Sequence, residues 1–99
     1  MDINHTSPDR AGILRAILAG TPGNAGAKQC ARLLEAMERL GSVTTIEAAR
    51  FLDAFDPPAR KRDLVKGGHR ILMTWDRGTT EAGESHKVGR YSLVRGVPS

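Results

Sequence analysis

The sequence predicts an α+β fold, with helices gathered in the first two thirds of the chain and a β-hairpin at its C-terminal end. Three observations carry this. Apolar residues recur at helical spacing through successive segments before residue 67. Residues able to cap or open a helix stand at Ser7-Pro8-Asp9, Thr44-Thr45-Ile46-Glu47 and Asp56-Pro57-Pro58. After Gly67-Gly68 the spacing changes to the period of two that belongs to strands.

The first helix opens where Ser7 offers a side-chain oxygen to the free amides, Pro8 suits the first helical position and Asp9 complements the positive helix end. Ile13, Leu14, Ile17 and Leu18 form its one apolar stripe, and Gly20 stops it. The segment 20–26, Gly-Thr-Pro-Gly-Asn-Ala-Gly, has no periodicity and reads as a flexible joint. Residues 1–23 are therefore expected to be a helical appendage with a Gly-rich joint, 24–95 the main domain and 96–99 a tail.

A longer helix follows from Ala25 to Leu40, with Cys30, Leu33, Leu34 and Met37 on its apolar face and Lys28, Arg32, Glu35, Glu38 and Arg39 largely elsewhere. Gly41 ends it. Ser42-Val43 suits a single-bridge strand. The capping box from Thr44 to Glu47 starts the next helix, which passes through Ala48, Ala49, Phe51 and Leu52 and is expected to end near Phe55. Asp56-Pro57-Pro58 starts another, stopped by Gly67-Gly68. On its wheel Leu64 and Val65 define the buried side, and Lys61 falls between them, so it must snorkel or the helix is shifted. Ala59, Arg62, Asp63 and Lys66 point away, while Arg60 lies on the flank with Asp63, Asp56 or Glu47 as ion-pair partners. Residues 71–75 and 87–94 read as strands, with Tyr91 and Leu93 on one face, around a long tip at 76–86. Trp75 and Tyr91 are expected in the core, covering the helices, rather than as stacking platforms.

Composition narrows the function. The 99 residues, 39% hydrophobic, suffice for one core. No apolar stretch approaches the roughly 20 residues of a membrane span, and residues 1–5 lack the pattern of a signal peptide. Cys30, the single cysteine, forms no internal disulfide and fits a reducing cytoplasm. The net charge of +4 is unevenly placed. Residues 1–59 hold six Lys/Arg against seven Asp/Glu, and residues 60–99 hold nine against four. A basic C-terminal half is the footprint of a nucleic-acid binder, although a charge excess also serves solubility alone.

Four segments then fall in a telling order. They are Ala31-Arg32-Leu33-Leu34-Glu35-Ala36, Gly41-Ser42-Val43-Thr44-Thr45-Ile46-Glu47-Ala48, Ala59-Arg60 with Asp63-Leu64 and Gly68-His69-Arg70-Ile71, and Arg90-Tyr91-Ser92-Leu93. Over about residues 28–94 the chain resembles the winged helix-turn-helix family, most of all its short phage and prophage members. The resemblance implies a three-helix core with a C-terminal hairpin wing, here preceded by an extra helix. It also implies sequence-specific binding of double-stranded DNA through helix 59–66, by a transcriptional regulator or architectural factor.

The residues fit that task. Ala59 is small enough to let the backbone approach a groove, and Arg62 and Lys66 can reach guanine edges or phosphates. Arg60 joins them on the flank, and Arg70 and Arg90, near the base of the sheet, suit backbone contacts. Arg77 and Lys87 at the hairpin tip are offset by Asp76, Glu81 and Glu84, so the tip is net acidic. The competing reading is a protein-interaction module, an accessory or inhibitor protein using that acidic wing and the N-terminal helix. So short a helix is marginal alone, so its stripe must find a surface: a homodimer joined through Ile13, Leu14, Ile17 and Leu18 is expected, with docking on its own domain or disorder as the alternatives.

An enzyme is not expected. Residues 23–29 miss the phosphate-loop pattern in spacing and final residue. His5, His69, His86 and Cys30 lack metal-ligand spacing, and no cofactor is implied.

Overall fold

A computed structural model describes residues 7–79 and 85–94. The elements are α1 (Pro8–Gly20), α2 (Gly26–Leu40), β1 (Ser42–Thr44), α3 (Thr45–Phe51), α4 (Pro57–Lys66), β2 (Ile71–Thr79) and β3 (Ser85–Leu93). The strands make one antiparallel sheet in the order β1-β3-β2. The fold is α+β, as the spacing predicts.

Local chemistry explains most boundaries. The Ser7 hydroxyl accepts from the Arg10 amide at 3.2 Å, and the Asp56 carboxylate accepts from the Ala59 amide at 3.2 Å. The capping box closes in both directions: Thr44 Oγ1 accepts from the Glu47 amide, and Glu47 Oε1 accepts from the Thr44 amide, each at 3.0 Å. Gly41 follows α2 at φ 85°, a conformation that glycine adopts without steric cost. Helix α3 stops at Phe51, four residues short of the expectation. Asp53 takes a left-handed φ of 54°, and the Ala54 amide bonds back to the Ala48 carbonyl at 3.0 Å. Both hairpin strands run further than expected, to Thr79 and from Ser85, which shortens the 76–86 tip. Within that tip, Glu81 and Glu84 lie outside the described residues.

The core joins Leu14 and Ile17 of α1, Leu33, Ala36 and Met37 of α2, Val43, Ala48, Leu52, Leu64 and Tyr91. The α1 stripe is thus occupied within its own chain. Leu14 and Ile17 are buried and Ile13 packs against the same cluster, while Leu18 is half-buried. Arg10 ties α1 down further, by an ion pair to Glu47 and a hydrogen bond to the Ser42 carbonyl at 2.6 Å. Arg15 and Arg50 both stand over the Phe51 ring, 5.3 and 5.4 Å from its centroid.

Arg32 departs most from the wheel. Expected on an exposed face, it is fully buried. Its Nε donates to the Leu52 carbonyl at 2.7 Å, and its Nη1 donates to the carbonyls of Thr21 and Gly23 at 2.7 and 2.9 Å. Thr21 and Leu52 are the C-caps of α1 and α3. The buried cation therefore sits at the negative ends of two helices and satisfies carbonyls that neither helix can. It also fixes the Gly-rich joint, to which Gln29 adds a bond from Nε2 to the Asn24 carbonyl at 2.7 Å.

Candidate nucleic-acid interface

Helix α4 lies across α2 with Leu64 buried beneath it. Its outward face carries Arg62 and Lys66, both exposed, and Ala59 is half-buried near the N-terminal end. Val65, expected on the buried side, is 47% exposed. The reason is helical geometry: Leu64 faces the core, and the next residue, turned about 100° onward, falls between core and solvent. Val65 lines a shallow depression with Lys61, Arg62 and Lys66, so the outer surface of α4 is an apolar spot among three cations.

Arg60 turns elsewhere. Its guanidinium pairs with Asp63 at 3.3 Å and lies over Gly26, where a β-carbon would collide with it. This is the ion pair that the sequence offered as one of its partners, and it draws Arg60 toward α2. Asp63 also sits 3.9 Å from the Cys30 sulfur, whose thiol is pushed up by burial and then by the Asp63 charge.

On the hairpin, strand parity decides what faces α4. Tyr91 is buried, and Gly89 and Lys87 share its face, as do Met73 and Trp75 on β2. Arg90 has the opposite parity. Its Nε donates to Asp76 at 2.8 Å and its Nη1 donates to the Ser42 hydroxyl at 2.8 Å. The Asp76 carboxyl is held below its ordinary range by that hydrogen bond first, and by the Arg77 amide second. A cationic stripe ending at Arg90 is therefore not formed. Instead Lys87, which the sequence counted only as part of an offset tip, joins Lys61 and Arg62 around a cleft between α4 and the hairpin. Arg70, just before β2, is exposed.

Trp75 overturns another expectation. Core by its face, it is 65% exposed. It lies further along the hairpin than Tyr91 and Met73, and its ladder partner Gly89 offers no side chain to shield it. The α4–hairpin cleft, of about 480 Å³, opens beside its ring.

Helices α2, α3 and α4 followed by an antiparallel hairpin set the frame in which these side chains stand. A family model of the winged helix-turn-helix domain matches residues 28–96. The chain belongs to the winged helix-turn-helix family. No curated protein and no solved structure matches it. In this winged helix, α4 is the third core helix and β2–β3 the wing, while α1 precedes the matched region. The cationic cleft thus lies between the third helix and the wing. Among the described residues, no group of three or more acidic, His or Cys side chains is placed to hold a metal ion, and no helix is long and apolar enough to cross a membrane.

Proposed function

We propose that this winged helix binds double-stranded DNA, laying α4 in the major groove, as a transcriptional regulator or architectural factor of phage or mobile-element type. One observation carries the reading: Arg62 and Lys66 project from the outer face of α4 with Lys61 and Lys87 on the same side, and none of the four has an ion-pair partner among the described residues. Unneutralised cations grouped on a groove-sized helix suit phosphates and guanine edges. Ala59, near the start of α4, admits close approach of the backbone, and exposed Arg70 adds a phosphate contact beside the sheet. Arg60 and Arg90, engaged with Asp63 and Asp76, reach DNA only by giving up those partners. The role is one of binding rather than catalysis.

Because Leu14 and Ile17 are enclosed by the chain's own core, we propose one copy on one unpaired site. The protein-interaction reading draws on Phe55, Leu72 and Val94, exposed apolar side chains that line neither cleft. A mobility-shift titration against random duplex DNA at low salt separates the two. DNA binding supports the first reading, and its absence transfers the weight to the second.

A further inference from the structure

Trp75 has no part in reading a duplex through α4. Its ring is largely in water, although exposing an indole costs hydrophobic free energy. The cleft beside it has an apolar floor that includes Pro58, Met73 and Tyr91. Its rim carries Lys61, Arg62 and Lys87, and among the described residues no carboxylate lines it. At about 480 Å³ it is the size of a small-ligand site.

An apolar floor repels a bare phosphate, and a cationic rim gives an uncharged aromatic ring no advantage. A nucleotide satisfies both, because a flat ring and an anionic backbone belong to one group. In a duplex the base faces are covered by their stacked neighbours, and the grooves show only base edges. A free π-face for the indole exists only on an unpaired base. We propose that the cleft between α4 and the wing seats an unpaired base of a single DNA strand, stacked on Trp75, with flanking phosphates held by Lys61, Arg62 and Lys87. This goes beyond duplex binding and shares with it only the cations.

The chain has one tryptophan, so indole fluorescence, excited to the red of tyrosine absorption, reports on Trp75 alone. The full chain is titrated with oligothymidylate, with an abasic strand of the same length and charge, and with a blunt duplex. Oligothymidylate is expected to quench the fluorescence and to bind more tightly than the abasic strand. Affinities of the variants, which lack tryptophan, are read by the anisotropy of a dye-labelled strand: Trp75→Leu, which keeps an apolar side chain at an exposed position, is expected to lose roughly five- to a hundredfold for oligothymidylate. It should lose none for the abasic strand, and Trp75→Phe should retain most of the binding. Equal affinity for the two strands, or an unaltered Trp75→Leu, overturns the proposal. The duplex arm stands apart: duplex binding without oligothymidylate quenching removes the base seat alone, and the reverse removes the duplex reading alone.

Discussion

Arg10 grips Glu47 with two parallel contacts, Nε to Oε2 at 2.7 Å and Nη2 to Oε1 at 3.0 Å, while the same Oε1 accepts the Thr44 amide. One carboxylate thus closes the capping box of α3 and fastens α1 onto the helix-turn-helix. Fork-shaped pairs of this kind are the strong ones, and Glu47 is mostly out of water. Arg10→Ala is expected to cost about 1.5–3 kcal/mol, since it removes charge-assisted hydrogen bonds from a largely buried carboxylate. Urea denaturation monitored by circular dichroism checks this, and a loss below about 0.5 kcal/mol, as for ordinary surface changes, would contradict it.

Arg32 carries a heavier structural role. Arg32→Ala strands the carbonyls of Thr21, Gly23 and Leu52 and opens a cavity, so a loss of about 3–5 kcal/mol is expected. Arg32→Lys should rescue little, because an ammonium cannot copy the guanidinium fork. A thermal melt of both variants reads this directly, and a fully stable Lys variant would show that charge alone suffices.

Much of the fold was legible because its signals are local. Ser7, the Thr44–Glu47 box and Asp56 act within a single turn, and Gly41 needs nothing beyond its own backbone. What escaped depends on distant partners. Arg32 looks like a surface residue until α1 and α3 bring their C-terminal carbonyls to it. Trp75 looks like core until the register sets it opposite Gly89. At the candidate site, Arg62 and Lys66 were readable from the wheel. The engagement of Arg90 with Asp76 and Ser42 and the place of Lys87 beside the cleft depend on partners distant in sequence, although the parity of β3 counted from Tyr91 separates the two.

The cations of α4 should divide by role. Arg62→Ala and Lys66→Ala are expected to weaken duplex binding while leaving the melting temperature unchanged, because both side chains are exposed. Loss of a base contact at Arg62 costs about 1–3 kcal/mol of discrimination and relaxes site preference. Arg60→Ala, which breaks the Asp63 pair and uncovers Gly26, should instead lower stability. Parallel melts and binding isotherms check the split, and a large fall in melting temperature for Arg62→Ala contradicts it.

Cys30 should be a slow thiol. Burial and Asp63 both favour its protonated form, so little thiolate is present near neutral pH. Alkylation of the native chain is expected to be much slower than that of the urea-unfolded chain. The sign for stability follows: folding favours the protonated thiol, so this contribution is intact below the free thiol value of about 8.5 and is lost as pH rises above it. Native labelling as fast as unfolded labelling would contradict this account of the Cys30 environment.

The most direct test of the central claim is the salt dependence of duplex binding. With Lys61, Lys66, Arg70 and Lys87 neutralising phosphates, the slope of log affinity against log salt should be about −4, and Lys66→Ala should make it shallower by about one. No binding at low salt, or a slope near zero, would contradict the assignment of this face to DNA.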